Sequence, residues 1–399
     1  MTQNDTKWTN YNPNNPFYGD GNKKTAIFYA FLKCQGGGER LTFLFRDFFR
    51  GDFWVGGIDP NLYGPSLKNS FSRHLYNGIG RVFSLHLESK IPIWYAVKRQ
   101  LYFLFSPKIN DLAKYDSVVL SGNVSWIAKR IRKIAKKNNH KINIVAFVHT
   151  PPRFLTDQKY RLLDRLPKFL QKTGDNLLKF TLEKTYTSEL KLCDSVLTNS
   201  KNIQKRLLDY TEIRSDWIFV PTDLDRFQFK TVGDYFISYS RLEDIKRIKL
   251  VVEAFQNLPD KKLIICSSGP LKNWVIENIK DYPNISYRGM VSDIELADLV
   301  GNCLAGITIP ENEDAGITQL EIMAAGKPVI GAGEGGLLDT VIEGETGFLT
   351  PPNPTLDQLI ETINKISPEI ALQMRFDCRK QAENFSIPSF FKKWVDITR

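Results

Sequence analysis

Short apolar segments alternate with amphipathic ones along this chain of 399 residues, and the alternation starts twice. Such alternation is typical of parallel sheets whose strands are joined by crossover helices. Strands of the first series are predicted at 25–32, 117–120, 142–148 and 195–198. Those of the second are predicted at 235–239, 262–266, 285–287, 305–308 and 328–330. The pattern therefore predicts an α/β protein with two βα domains in tandem.

A proline-led segment at 221–227 separates the two series, and we place the seam there because it follows a further predicted strand at 217–220. Asp223 and Asp225 form a D-x-D inside it, a pair that holds a divalent metal in some enzymes. Two spaced acids are common by chance, so we interpret the segment as a linker. The predicted organisation is a polar segment at 1–22, a first domain at 23–225, a second at 226–383 and a final helix at 384–399.

Composition narrows the class of protein. The five cysteines are scattered and form no C-x-x-C pair, which favours a reducing cytoplasm over a disulfide framework or structural zinc. No run approaches the roughly 18 apolar residues of a membrane span, and the polar N-terminus has no signal-peptide core. The net charge of +10 predicts an acidic partner: nucleic acid, anionic membrane or phosphorylated substrate.

Two basic segments are candidates for contact with anionic lipid. Residues 126–137 place Ile127, Ile131 and Ile134 on one helical face and basic side chains around the rest. This pattern is typical of a solvated face of a packed helix or of a membrane contact. Residues 91–105 surround Lys98 and Arg99 with aromatics, which fits a buried helix or, again, a membrane contact.

The segment 310–330 carries the chemistry. It sets Glu313 and Glu321, with seven residues between them, on either side of a glycine turn and a predicted helix start. A helix N-terminus attracts an anion such as a diphosphate, and carboxylates accept hydrogen bonds from sugar hydroxyls. This combination predicts a nucleotide-sugar site.

Several ordered motifs resemble those of the GT4 family of retaining glycosyltransferases. Glu313 and Glu321 match the family's E-x7-E pair. Residues 240–247 resemble its S-R-L-x-x-x-K-R, and 335–348 resemble its G-G to T-G-F ending. Residues 149–153 are similar to the H-T-P-x-R of the bacterial O-antigen mannosyltransferase branch. The resemblance covers about Gly36 to the C-terminus and implies the GT-B fold, two Rossmann-like domains that face each other across a cleft.

The resemblance also implies roles for individual side chains. Arg241 and Lys246 would neutralise the diphosphate in place of a metal ion. Glu321 would bind ribose hydroxyls, although with Thr318 it could instead form a helix capping box. Glu313 would hold hydroxyls of the transferred sugar. The alternative is that Glu313 is an ordinary exposed acid in a loop. No cofactor or metal is expected.

The remaining assignments follow the same resemblance. His149, at the carboxyl end of a predicted strand, would contact the donor sugar across the cleft, with a purely structural role as the alternative. Arg153 would lie on the acceptor side. The glycine turn at 36–38 would let the backbone approach the ligand. The residues implied on the donor side are Asp314, Gly316, Ile317, Thr318, Gly37 and Gly38.

The function predicted from these motifs is transfer of a hexose, with retention, from a nucleoside diphosphate sugar to a hydroxyl of a surface-glycan precursor. GDP-mannose is the first choice of donor and a UDP-sugar the second, since Ala315 replaces a phenylalanine usual in the mannosyltransferase branch. A lipid-linked O-antigen or capsule oligosaccharide at the inner leaflet is the expected acceptor, and 158–189 is a candidate acceptor-side element. A GT-B sugar-nucleotide epimerase and a basic nucleic-acid-binding protein are the alternatives.

Overall fold

The computed structural model describes residues 24–29, 37–49, 51–55, 82–84, 107–164 and 166–398. They divide into two compact units. The first takes the described residues up to Asn199, then Ile203–Trp217 and the residues from Trp394; the second takes Ser200–Asn202 and Ile218–Lys393. The second unit thus begins shortly before the predicted seam. The predicted segments at 1–22 and 91–105 lie outside the described residues.

The described part of the first unit contains a parallel seven-stranded sheet in the order β3-β2-β1-β4-β5-β6-β7. Its strands are β1 (Thr25–Tyr29), β2 (Asp52–Val55), β3 (Val82–Ser84), β4 (Ser117–Ser121), β5 (Asn143–Val148), β6 (Ser195–Thr198) and β7 (Asp216–Trp217). Four of the predicted strands are confirmed as β1, β4, β5 and β6. The strand predicted at 217–220 is wrong beyond its first residue, since β7 ends at Trp217. β2 and β3 were not predicted.

Helices and shorter helical turns connect these strands. They are Gly37–Phe49, Pro107–Lys114, Ser125–Ile127, Ala128–Lys137, Tyr160–Leu163, Lys168–Thr181, Leu182–Thr187, Ser188–Leu190 and Lys201–Thr211. The helix Ala128–Lys137 buries Ile131 and Ile134, and Arg132 donates to the carbonyls of Leu192 and Ile142, each at 2.8 Å. At least one of the basic side chains of this helix, that of Arg132, therefore has a structural role.

The described residues of the second unit form a parallel six-stranded sheet in the order β10-β9-β8-β11-β12-β13. The strands are β8 (Tyr235–Ser238), β9 (Lys262–Cys266), β10 (Ile285–Gly289), β11 (Ala305–Thr308), β12 (Val329–Ala332) and β13 (Gly347–Thr350). All five predicted strands of this series are confirmed, with small differences at their ends. The order reverses between β8 and β11, where doubly wound sheets open a crevice at the carboxyl ends of their strands.

The second unit packs its helices around a core rich in Ile, Leu, Val and Phe. Its helices and helical turns are Asp244–Lys246, Ile248–Gln256, Lys272–Ile279, Asp293–Asn302, Thr318–Ala324, Gly335–Asp339, Leu356–Asn364, Pro368–Gln373 and Arg375–Glu383.

The final helix, Ile387–Thr398, begins in the second unit and ends in the first. In the first unit, the ring of Trp394 lies 4.7 Å from that of Phe45 and 5.8 Å from that of Phe147, centroid to centroid. All three side chains are buried. Trp394, in the second half of the final helix, is therefore part of the aromatic core of the first unit.

Candidate functional site

The loops that follow β8 and β11 meet at the reversal point of the second sheet. The backbone N–H of Glu311 donates to the carbonyl of Ile245 at 2.8 Å, which ties the two loops together. Directly beside this bond, Lys246 Nζ lies 2.6 Å from Glu313 Oε2. Both side chains are half-buried. The structure thus brings together an ammonium and a carboxylate that the sequence placed 67 positions apart.

Arg241 lies in the same loop as Lys246 but has a different setting. Its guanidinium is largely exposed, and Nε lies 3.0 Å from Glu243 Oε1. A long exposed side chain of this kind can reorient toward a ligand at little cost, because an exposed ion pair contributes at most about 1 kcal/mol. Its role toward a diphosphate stays a prediction.

Glu321 is buried, and a tyrosine from the end of β8 holds it. Tyr239 Oη donates to Glu321 Oε2 at 3.2 Å and to the carbonyl of Thr318 at 3.1 Å. Burial, together with the neighbouring Glu321 carboxylate, raises the pKa of Tyr239 well above its usual value, so the phenol stays a donor. The helix Thr318–Ala324 has Ile317 as its N-cap and no side-chain cap. The capping-box alternative for Thr318 and Glu321 is therefore wrong.

The turn before this helix depends on Gly316, whose φ of +75° lies in the left-handed region that favours glycine. Gln319 is buried and fixes the turn, since its amide donates to the carbonyl of Ala315 at 3.0 Å and to Thr340 Oγ1 at 3.1 Å. Sequence analysis missed Gln319 because its partner on Thr340 comes from a distant segment. The turn thus leads directly into a helix start, whose unpaired backbone N–H groups suit an anion.

A pair of glycines supports the Glu313 loop from beneath. A Cβ on Gly335 would lie 2.5 Å from the backbone N and O of Glu313, and one on Gly336 would lie 2.7 Å from Ala315 Cα. The N–H of Gly336 donates to the carbonyl of Glu313 at 2.8 Å. The G-G of the family ending is thus a backbone-to-backbone contact that only glycine allows.

Arg247 and Glu334 brace the same loop from the side. Arg247 NH1 donates to Glu334 Oε1 at 2.7 Å, and Glu334 Oε2 accepts the N–H of Asn312 at 3.0 Å. Burial would raise the pKa of Glu334, but hydrogen bonds from the N–H of Asn353 and from Arg247 outweigh it and hold the pKa below its usual value. The two cations that end the S-R-L-x-x-x-K-R motif therefore differ: Lys246 pairs with Glu313, whereas Arg247 is structural.

Ser200–Asn202, which belong to the second unit, also hold the Glu313 loop. Asn202 Nδ2 donates to the carbonyl of Glu313 at 2.8 Å and to Asn312 Oδ1 at 3.1 Å. Ser200 Oγ donates to the carbonyl of Asp314. These residues were not predicted, and the loop is held on three sides.

His149, in the first unit, lies just past the carboxyl end of β5 in a network of hydroxyl groups. Its Nε2 lies 2.8 Å from Ser121 Oγ, which in turn lies 3.0 Å from Thr42 Oγ1. Thr42 donates to the carbonyl of Gly38 at 2.8 Å. Burial lowers the pKa of His149 to about 4. The imidazole is therefore neutral near pH 7 and can offer one hydrogen bond of either kind.

Gly37 and Gly38 were predicted in a turn, but they are the first described residues of the helix Gly37–Phe49. A Cβ on Gly38 would lie 2.9 Å from Tyr29 Oη and 3.7 Å from His149 Nδ1. A side chain at position 38 would have to displace the Tyr29 hydroxyl, because the helix starts against the ends of β1 and β5. Gly36 lies outside the described residues.

Arg153 has a partner within its own segment. Its Nε and NH2 donate to Asp157 Oδ2 at 3.0 and 2.7 Å. Burial would raise the pKa of Asp157, but hydrogen bonds from Arg153 and the charge of Arg206 lower it. The structure thus gives Arg153 a local ion pair, and its acceptor-side role stays a prediction.

The D-x-D of the predicted seam makes a local turn, since the N–H of Asp225 donates to Asp223 Oδ1 at 3.1 Å. In the described part of the chain, no group of three or more His, Cys, Asp or Glu side chains is placed to hold a metal ion. Within the same residues, no helix combines the length and the apolar character needed to cross a bilayer.

Comparison with known proteins agrees with this arrangement. The model of the family described as glycosyl transferases group 1 matches residues 221–385, which include every residue of the site in the second unit except Ser200–Asn202. The chain is 26% identical over 325 residues to a protein of Dictyostelium discoideum named alpha-1,3/1,6-mannosyltransferase ALG2, with 72% of this chain and 75% of the relative covered.

Solved structures carry the same fold. HepE of Anabaena, solved in complex with UDP and glucose, matches with a TM-score of 0.67 at 15% identity, over 94% of this chain and 99% of that one. Sucrose-phosphate synthase of Thermosynechococcus elongatus matches with a TM-score of 0.71 at 17% identity, over 94% and 98%. Residues 221–385 are therefore a group 1 glycosyl transferase domain of the GT4 type, the fold is GT-B, and the protein is a hexosyltransferase.

Proposed function

We propose that this enzyme transfers mannose from GDP-mannose, with retention and without a metal ion, to a hydroxyl of a surface-glycan precursor such as a lipid-linked O-antigen or capsule oligosaccharide. The observation that carries the proposal is the Lys246–Glu313 pair, 2.6 Å apart, beside the Gly316 turn. This pair supports the proposal because an ammonium suits phosphate, a carboxylate suits sugar hydroxyls, and both lie near a helix start.

The proposed chemistry exchanges one bond for another at the anomeric carbon. The bond to the phosphate oxygen breaks, the bond to the acceptor oxygen forms on the same face, and the acceptor proton goes to the departing phosphate. Lys246, Arg241 and the N–H groups near Gly316 would stabilise the negative charge that grows on the diphosphate. Glu313 would hold sugar hydroxyls, and Glu321 would hold the ribose.

His149 enters the proposal as a neutral hydrogen-bonding group for the sugar. Its lowered pKa, about 4, suits this role, because a protonated imidazole would repel the positive charge that develops at the anomeric carbon. The hydroxyl of Ser121 occupies Nε2, so Nδ1 is the ring nitrogen that a ligand would meet.

Mannose is supported by the relative named as an alpha-1,3/1,6-mannosyltransferase and by the H-T-P-x-R motif at 149–153. A UDP-sugar is the alternative, and the fold match to a HepE structure that holds UDP and glucose favours it. Ala315 bears on this choice of donor, because the mannosyltransferase branch usually has phenylalanine at this position. The backbone of Ala315 packs on Gly336, and its small side chain lies in the turn before the helix Thr318–Ala324.

The test is a donor screen by thermal unfolding, followed by product analysis. A donor present at about 100 times its Kd stabilises the protein by about 2.7 kcal/mol, which raises the Tm by several degrees. GDP-mannose should give the largest shift, with GDP as the control for the base and UDP-glucose for the alternative. An α-linked mannoside product should follow when membrane lipid extract is added.

Three results would contradict the proposal in different ways. A shift with UDP-sugars alone would leave the enzyme class intact and replace the donor. Epimerised nucleotide sugar without glycoside would favour the epimerase. Salt-sensitive binding to random DNA without any response to sugar nucleotides would favour a nucleic-acid-binding protein.

A further inference from the structure

The helix Lys168–Thr181 in the first unit turns apolar side chains toward solvent. Phe169 is 80% exposed, Leu177 is 64% exposed and Phe180 is 58% exposed, and no residue of the helix is buried. Phe169 and Phe180 are eleven positions apart and Leu170 and Leu177 are seven apart, both close to whole numbers of helical turns. These four side chains form one band, which we call the apolar stripe.

The opposite face fixes the helix to the unit. Leu178 and the following Leu182 pack on the cluster that contains Val148 and Leu190. Asp175 binds Lys159 Nζ at 2.5 Å and Lys179 Nζ at 3.0 Å. The apolar stripe is therefore presented outward by a helix that is anchored on its other side.

Basic side chains border the stripe. The helix carries Lys168, Lys172 and Lys179, all exposed, and its one acidic residue, Asp175, is neutralised by two lysines. Lys184 Nζ lies 6.0 Å from the centre of the Phe180 ring. Aromatic and aliphatic side chains beside lysines complement a surface that is apolar inside and anionic at its edge.

We propose that the apolar stripe and its lysines dock this enzyme on an anionic membrane surface, with Phe169 and Phe180 at the boundary of the acyl chains and the lysines on lipid phosphates. The chain's net charge of +10 acts in the same direction. The inference stands apart from the choice of donor and acceptor. It also differs from the membrane contacts expected at 126–137, where the helix Ala128–Lys137 buries its isoleucines.

The apolar contribution is tested by the double substitution Phe169→Ser and Phe180→Ser, which alters exposed side chains that anchor nothing. Partition of the protein onto vesicles of phosphatidylcholine with phosphatidylglycerol is measured by co-sedimentation. We expect the double variant to bind about tenfold more weakly than the natural protein. Phe376→Ser is the matched control, because Phe376 is 73% exposed on the second unit, and it should bind as the natural protein does.

The electrostatic contribution is tested by Lys168→Glu with Lys172→Glu. This variant should lose the preference for vesicles with phosphatidylglycerol over vesicles of phosphatidylcholine alone. Equal vesicle binding by the natural protein and both double variants would overturn the proposal, as would no vesicle binding at all. The proposal would also be overturned if sedimentation velocity without lipid showed a dimer and the phenylalanine substitutions converted it to a monomer. Donor binding, measured in parallel without lipid, tests the proposed donor site separately from the membrane contact.

Discussion

The ammonium of Lys246 and the carboxylate of Glu313 form an ion pair of 2.6 Å that joins the loops following β8 and β11. Each partner orients the other, since a half-buried charge is stable only with a partner nearby. In the proposed reaction the two side chains bind different parts of the donor: Lys246 binds the diphosphate and Glu313 binds the sugar. The two substitutions should therefore give different kinetic signatures.

Glu313→Ala should mainly lower kcat, by about a hundredfold, and leave the Kd for the nucleoside diphosphate nearly unchanged.

Lys246→Ala should weaken diphosphate binding and also lower kcat, because the Lys246 ammonium stabilises negative charge that grows on the diphosphate in the transition state. Lys249→Ala is the control, since Lys249 forms an exposed pair with Asp244 at 2.9 Å. Full activity in both site variants would refute the assignment.

Glu321→Ala should weaken nucleoside diphosphate binding by at least about tenfold, as expected for loss of a buried acceptor of hydrogen bonds. Tyr239→Phe keeps the carboxylate and removes only the phenol that donates to it at 3.2 Å, so a smaller loss is expected. Calorimetric titration with the nucleotide measures both. A larger loss in Tyr239→Phe would mean that the carboxylate acts through the tyrosine and not on the ligand.

Gly335→Ala should destabilise the second unit and reduce activity together. The residue has φ of +65°, and its added Cβ would lie 2.5 Å from the Glu313 backbone. Gly344→Ala separates the two causes, because Gly344 has φ of +76° but no atom within 4 Å of its added Cβ. Gly344→Ala should cost only the strain, about 1 kcal/mol, and keep full activity. Thermal unfolding and initial rates test both, and equal effects would show that the close approach is unimportant.

The half-buried imidazole of His149 should make stability depend on acid. Its folded pKa is about 4, against about 6.5 when unfolded, so the unfolded chain binds the proton first as the pH falls. Stability is therefore lost from about pH 6.5 down to about pH 4, by at most about 3 kcal/mol, and levels off below. His149→Asn should lack this component. A Tm difference between the two proteins that does not change between pH 7 and pH 4.5 would contradict the lowered pKa.

Local patterns in the sequence predicted most of the fold. Apolar runs of three to eight residues gave nine strands correctly, since such runs need only neighbours along the chain to be recognised. β2, β3 and β13 were missed, and each has only three or four residues, too few for a clear alternation of apolar and polar side chains. Ile218–Val220 continue an apolar run, but β7 ends at Trp217. Apolar character there reflects burial of Ile218 and Val220 and not pairing in a sheet.

The site was predicted in part, for a related reason. Glu313, Glu321 and Lys246 belong to motifs with fixed spacing, so they were visible in the sequence. Asn202 holds the Glu313 loop from 111 positions away, and Arg247 binds Glu334 across 87 positions. Asn202 and Glu334 become evident as partners only when the chain is folded, because neither belongs to a motif and residue type alone does not distinguish them from ordinary surface residues.

The position of Trp394 has a consequence for biosynthesis. Its ring completes a cluster with Phe45, Phe49 and Phe147, from which it is separated by the whole of the second unit's main segment, Ile218–Lys393. A ribosome must translate that entire segment before the tryptophan can reach its neighbours. During this interval Phe45, Phe49 and Phe147 can contact one another but lack the tryptophan, and the nascent first unit is then the most exposed to aggregation and to chaperones.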